Sequence, residues 1–511
     1  MSGAAADAPL KGASLWIVAI LLAMANFIAV LDMTIANVSM ASIAGSLGIS
    51  TAQGTWVITS YSVAEAIIVP LTGWLAGRFG AVRVFTTAML LFGAFSAFCG
   101  VAASLEMLVF GRIMQGLSGG SLMPLSQTLL LRVFPKERAP AAMALWAMTT
   151  LVAPVLGPIL GGWICDNLAW SFIFFINVPI ALFCAPVIAR TLKRFELAPI
   201  KAPIDAIGLA LLVIFVGALQ IMLDIGKDHD WFNAVEIRVL AAVAGVFFLA
   251  FLIWELTDKN PIVDLRVFRH RGFAAAVFTL SLGYGAMFGA NVLTPLWLQS
   301  YMGYTATWAG MTTAWSGVCA VLMAPVVGIL MGKKLDPRRL VFIGLIWIAG
   351  VMLLRSVLTS DVTYWQIAIP LVLMGIGLPL FFVPLTALAL GSVEEHETAS
   401  GAGLQNFLRT MSGAVTTSLV TTLWDDKTIT AHAELAGVTD KSGDTLSLLT
   451  AGMGHDAAVN QLNALVQSQS VMIATNQLMF VVAVAFAIAA FAIWLAPRPT
   501  RAVDMAQAGG H

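Results

Sequence analysis

A chain of 511 residues that is 59% hydrophobic and 11% charged cannot dress a water-facing surface, because soluble domains carry about 25% charged residues. Most of its surface has to face lipid. A formal net charge of zero excludes the basic footprint of a nucleic-acid partner, and the four cysteines, three of them inside apolar runs, supply no disulfide framework.

A bilayer core of about 30 Å takes about 20 apolar residues per helix. Such runs occur near 15–38, 53–76, 84–104, 107–131, 141–163, 171–190, 204–223, 238–256, 272–298, 308–331, 340–358, 365–390, 401–424 and 474–496. They predict an all-α membrane protein of fourteen transmembrane helices. Met1 to Ala13 carries one Lys and no cleavable-signal pattern, so the first run is read as a retained helix. With the N-terminus inside, twenty of the 27 basic residues fall on the cytoplasmic side and four, Lys227, Arg238, Lys427 and Lys441, fall outside. That bias predicts cytoplasmic N- and C-termini.

The chain repeats itself weakly. Pro70, Gly73, Leu75, Gly77, Arg78 and Arg83 recur 255 residues later as Pro325, Gly328, Leu330, Gly332, Lys333 and Arg338. The repeat predicts a six-helix half over 1–191, two inserted helices with linkers over 192–271, and a second six-helix half over 272–511. Repeated halves are how many secondary transporters build alternating access. Residues 425–473 read as a long external connection: a helical cap, a partner surface or a plain loop.

Charge inside a membrane is expensive and needs a reason. In the first span Asp32 shares a helix face with Ala25, Ala29 and Ala36, small residues that admit another helix. It is either a proton carrier or a satisfied structural carboxylate. Glu65, with Tyr61, Ser62 and Thr72 on its face, carries a proton, attracts cationic substrate, or merely stays protonated and hydrogen-bonded in the packing. Arg112 shares its side with Gln115, Gly116 and Gly119. Because it does not deprotonate, it either tunes a carboxylate or ties helices together. Arg409, flanked by Gln405, Asn406, Ser412, Gly413 and Thr416, offers the same two readings.

Pro154, Gly157, Pro158 and Gly161 fall on one stripe of the fifth span, followed by Gly162. Prolines remove donors and glycines allow close helix contact, which suits a seal or pivot. The turn from Gly73 through Arg78 and Gly80 to Arg83 is tight and basic, fit to latch helices or simply to satisfy topology. Phe27, Asn37, Trp56, Tyr61 and Gln115 are candidate cavity residues, or ordinary packing and lipid-facing ones. The sequence holds no P-loop, zinc-type His cluster or Gly-x-Ser-x-Gly elbow, so an ion gradient is expected to drive it, with no metal and no cofactor.

On these residues the chain resembles the major facilitator superfamily, in its fourteen-span drug:proton antiporter branch. The likeness includes Leu31 to Asn37, Gly54 to Ser60, Pro70 to Arg83, Pro124 to Gln127, Phe174 to Pro179, Leu219 to Asp224, Asn260 to Leu265 and Gly303 to Gly310. It implies that Asp32 handles substrate and protons and that Arg112 belongs to the proton-coupling motif. It makes Gly157, Pro158, Gly161 and Gly162 the antiporter motif, and Gly73, Arg78, Gly80 and Arg83 a conformational latch. Gly77 stands where that latch usually carries an acid, and Glu65 is not an expected family acid. The resemblance further implies a multi-pass protein of the bacterial inner membrane, exporting amphipathic drugs against protons. A periplasmic adaptor and an outer-membrane channel are the implied partners. The rival readings are a proton-coupled metabolite symporter on the same fold and a sensor or structural subunit that moves nothing.

Overall fold

The computed structural model describes residues 12–49, 51–135, 138–196, 205–227, 229–259, 261–332, 335–441 and 455–497. Among these there is helix and no strand, as expected where every backbone polar group must be satisfied within its own segment. In chain order the helices are α1 (Ala13–Val38), α2 (Met40–Leu47), α3 (Thr51–Ile68), α4 (Thr72–Phe79), α5 (Ala81–Gly100) and α6 (Leu105–Gly119). Then follow α7 (Leu122–Val133), α8 (Ala139–Asn167), α9 (Phe172–Phe175), α10 (Asn177–Leu192), α11 (Ala206–Ile225) and α12 (Val235–Thr257). The last six are α13 (Arg271–Ser300), α14 (Ala306–Gly332), α15 (Pro337–Arg355), α16 (Tyr364–Gly391), α17 (Thr398–Lys441) and α18 (His455–Ala492).

Ten of the described helical segments are long and apolar enough to cross a bilayer, and two bent pairs bring the number to twelve. One pair is α3 with α4, bent by 58° where Pro70 interrupts the ladder. The other lies within α8, bent by 44° between Pro154 and Ile159. Two runs read as spans fall short of that test: 107–131, held by α6 and α7, and 401–424, held by α17. In the first, α6 and α7 are too short singly, at 15 and 12 residues; both runs are also polar, with Arg112, Gln115 and Gln127 buried in the first and Gln405, Asn406 and Arg409 in the second.

In the first half of the chain α1 packs on α8 and α10, α3 on α6, and α5 on α6 and α10. In the second, α13 packs on α17 and α18, α15 on α16 and α18, and α14 on α16. The two groups meet where α8 lies on α14 and α16, and where α4 and α7 lie on α17. Between them in sequence, α11 and α12 form a hairpin whose first helix rests on α3 and α17. Within 425–473 helix continues to Lys441 and resumes at His455, with residues 442–454 outside those described.

The ends of α10 and α18 are tied in similar ways. Each finishes in a single 3-10 turn, Lys193–Phe195 and Ile493–Leu495. After the first, the Glu196 carboxylate accepts from Val82 N at 3.1 Å and Arg83 N at 2.9 Å. After the second, the Ala496 carbonyl accepts from Arg338 Nη1 at 2.9 Å. In both cases the closing helix is tied to the first turn of the third long helix, α5 or α15. Acids cap both starts, Glu196 on α5 and Asp336 on α15, where the helix dipole favours negative charge.

Candidate functional site

Asp32 lies inside a cage built by four helices. Arg112 of α6 donates through Nη1 to Asp32 Oδ2 at 2.5 Å, and both side chains are fully buried. Gln115, one turn on, donates to Oδ1 at 2.9 Å, and Asn177 at the start of α10 donates to the same oxygen at 2.7 Å. Ser96 of α5 accepts from Gln115 at 3.2 Å and from Asn177 at 3.1 Å, and its own hydroxyl is donated to the Phe174 carbonyl at 2.8 Å. The Arg112 guanidinium is held in place by Nε–H donation to the Val57 carbonyl at 3.0 Å and lies 4.1 Å from the Tyr61 ring centre. A buried ion pair persists only when further hydrogen bonds satisfy its remaining groups, and Gln115, Asn177 and Ser96 do this on the acid side. On the basic side Arg112 Nη2 keeps no partner.

Tyr61 leads from this cage to a second polar layer. Its hydroxyl has no partner, and one turn further along α3 sits Glu65, buried, with Oε2 also unpartnered. Glu65 lies in the electrostatic field of both Arg112 and Arg409. Arg409 is reached from α17 in the other half. Its guanidinium donates to the Met123 sulfur and lies 5.5 Å from the Trp146 ring and 5.1 Å from the Tyr284 ring. Beside it Asn406 donates to Gln127 across the two halves at 3.1 Å. Arg409 Nε and both amide atoms of Gln405 are without partners, which in a low-dielectric interior is costly.

The glycine stripe of α8 seats α1. A Cβ on Gly157 would collide with the Thr34 side chain, and one on Gly161 would lie 2.9 Å from Ile35 Cγ1. These contacts begin two residues beyond Asp32, so a shift of α8 is felt at the cage. Gly162 is buried and Pro154 half-buried, whereas the Pro158 side chain lies outside the described residues. At the other seam a Cβ on Gly73 would lie 2.8 Å from Ser400 Cα at the start of α17. Gly80 takes a left-handed φ of 93° against the Glu196 carboxylate, and Arg78 lies over the rings of Trp74 and Phe79 at 5.7 and 5.8 Å. The Arg83 side chain is exposed while its backbone N–H binds Glu196.

The structure therefore brings Asp32, Arg112 and Gln115 together and places Glu65 with Arg409 one layer away. Of the cavity candidates, Tyr61 is fully buried beneath Arg112, Phe27 is half-buried in the core, Trp56 is 41% exposed, and the Asn37 side chain is not described. Sequence reasoning missed Asn177, Ser96 and Glu196. Asn177 had a signal, a lone amide in the apolar run Phe174 to Pro179, whereas serines are too common in such helices to stand out.

A family model described as Major Facilitator Superfamily matches residues 22–417. The multidrug export protein EmrB of Escherichia coli K12 is 42% identical over 96% of this chain and 97% of its own length. The fatty acid resistance protein FarB of Neisseria gonorrhoeae is 41% identical over 98% of this chain and 99% of its own. Among solved structures, the human organic anion transporter MFSD10 superposes with a TM-score of 0.55 at 12% identity, covering 92% of this chain and 99% of that one. This last likeness concerns the fold alone.

Proposed function

The chain belongs to the major facilitator superfamily, and from that premise we propose that it exports amphipathic drugs in exchange for protons by alternating access. The observation that carries the reading is the buried Asp32–Arg112 pair with its unfilled neighbour Tyr61 leading to Glu65 and Arg409. Arg112 keeps its charge, so protonating Asp32 leaves an uncompensated cation in the cage, a change large enough to favour a different helix arrangement. Glu65 and Arg409 stand on opposite sides of the seam between the halves. A drug with cationic and apolar parts would set its charge against Glu65 and rest on Trp146, Tyr284 and Met123, a set suited to varied ligands. The names of EmrB and FarB, multidrug export and fatty acid resistance, fit substrates of that amphipathic class.

Fourteen spans complete the proposal: the twelve apolar ones plus α6 with α7 and the membrane part of α17, both kept polar by the site. With both termini cytoplasmic in the inner membrane, the ends of α17 and α18 project outward. At 44 and 38 residues they extend about 66 and 57 Å, well beyond a core of about 30 Å, and so offer an adaptor a surface leading to an outer-membrane channel. The close Gly157–Thr34 and Gly161–Ile35 contacts lie on the stripe that the family resemblance makes the antiporter motif, which supports exchange over symport. Direction of movement tests this. In liposomes with an imposed pH gradient, drug should move opposite to protons; movement in the same direction would establish a symporter.

A further inference from the structure

The inserted hairpin is fastened to α17 at both of its ends. Where α11 closes, the buried Ser418 hydroxyl donates to the Leu223 carbonyl at 2.8 Å; carbonyls of a last turn lack partners in their own helix. The Trp231 indole N–H donates to Thr422 Oγ1 at 3.0 Å, and Lys227 Nζ lies 2.6 Å from Asp425 Oδ2. Ser418, Thr422 and Asp425 follow one another at i, i+4 and i+7, on one face of α17. At the opposite end, Glu255 of α12 accepts from Val263 N at 3.1 Å, which holds the outgoing linker to the hairpin. That linker closes with Arg269, whose Nη2 donates to the buried Glu397 at 2.8 Å, and His270, whose Nε2 lies 2.9 Å from the same carboxylate. Glu397 immediately precedes α17, and Ser418 stands about 30 Å along that helix from Thr398, the depth of a bilayer core.

The backbone that presents Trp231 is built for this grip. Asp230 and Trp231 take left-handed φ values of 54° and 50°, a conformation that side-chain-bearing residues rarely adopt and that persists only where the surroundings impose it. Here the Trp231 N–H donates to the Gly226 carbonyl at 2.8 Å, and the ring lies so close to Gly226 that a Cβ there would be 2.7 Å from Cζ3. The hold on the first half is weaker. α11 packs on α3, where Asp224 takes the Thr59 hydroxyl, but Asp224 is exposed and water can replace that contact. The Lys227–Asp425 pair, 39% and 41% exposed, also adds little, so the contacts of Ser418, Trp231 and Glu397 carry the attachment. Hydrogen bonds weaken steeply with misalignment, which fixes the register on α17, whereas packed helices without such ties can shear past one another.

We propose that the inserted hairpin is a flap borne by the second half. It keeps its place on α17 while α3 slides beneath it, and so covers the seam between α3 and α17 as the halves move. The flap rests on the alternating movement proposed above, and adds to it which half the two extra helices travel with.

Pulsed electron spin resonance distances on the full-length protein in lipid nanodiscs test this. Spin labels are attached to cysteines placed at the exposed Arg238 of α12, Lys427 of α17 and Ser46 of α2, which packs on α3. The partly exposed Cys165 and Cys319 are changed to Ser. Samples are compared at about pH 5 and about pH 8, with and without tetraphenylphosphonium as the lipophilic cation. The distance from position 46 to 427 should shift between conditions, the distance from 46 to 238 should shift with it, and that from 238 to 427 should keep one narrow distribution. A shift from 238 to 427 as large as that from 46 to 427 would overturn the proposal and assign the hairpin to the first half. A fixed distance from 46 to 427 in every condition would instead overturn the alternating movement itself, and the flap with it. Ser418→Ala combined with Trp231→Phe should broaden the 238 to 427 distribution; one as narrow as the parent's would show that these contacts do not hold the hairpin.

Discussion

At the scale of single residues the Asp32 cage sets the strongest expectations. Removing Arg112 leaves a buried carboxylate with two amides and no counter-charge, a loss of about 3–5 kcal/mol for such pairs. Thermal unfolding of Arg112→Ala in detergent should therefore fall sharply, and Asp32→Asn in the same chain should recover most of the loss. An unchanged melting point in the single variant would show that the pair contributes nothing to stability. Asp32, Arg112 and Gln115 were legible in the sequence because charge and amide stand out within apolar runs. Their meeting was not, since Asp32 and Arg112 are 80 residues apart and only the packing of α1 on its neighbours joins them. Glu196 was illegible for a related reason. The carboxylate that holds the Val82 and Arg83 amides comes from 114 residues beyond Val82, where no local pattern points to it.

At the scale of helices the decisive contacts are those that leave no room for a side chain. Gly73→Val cannot keep α4 against Ser400, so the seam between α4 and α17 should open. A cysteine placed at Gly403, which faces the Val69 carbonyl, should then label with a membrane-impermeant maleimide several-fold faster than in the parent chain; equal rates would show that this seam is no gate. The tie between the linker and α17 responds to acid. Burial would raise the Glu397 carboxyl, but the Glu394 amide, His270 and Arg269 outweigh it and hold its pKa below the usual carboxylate range. Its stabilisation is therefore complete above the ordinary carboxylate pKa and lost as pH falls through the lowered one. Hydrogen exchange over 394–400 should accelerate on acidification below about pH 4, and Glu397→Gln should exchange fast throughout. The apolar spans were legible from composition alone. The helices past Asp425 were not, because their mixture of Gly, Asp, Gln and Leu carries no apolar run, and helix there is an extension of α17 and α18.

At the scale of the whole molecule two helical groups meet along a seam that is polar at its centre and close-packed at α8 on α14 and α4 on α17. The inserted hairpin leans on α3 and α17, so it touches the helices that carry Glu65 and Arg409 and is placed to move with the second of them. The tied ends of α10 and α18 hold the first turns of α5 and α15 in the same way. Drug and proton are linked, on this account, because the cage and the seam share α3 through Tyr61 and Glu65. The measurement that tests that linkage most directly is drug-evoked proton movement in liposomes containing wild type or Asp32→Asn. Wild type should release or take up protons when drug is added, and the variant should bind drug with its coupled proton movement largely abolished; equal proton movement in both would contradict a role for Asp32 in coupling.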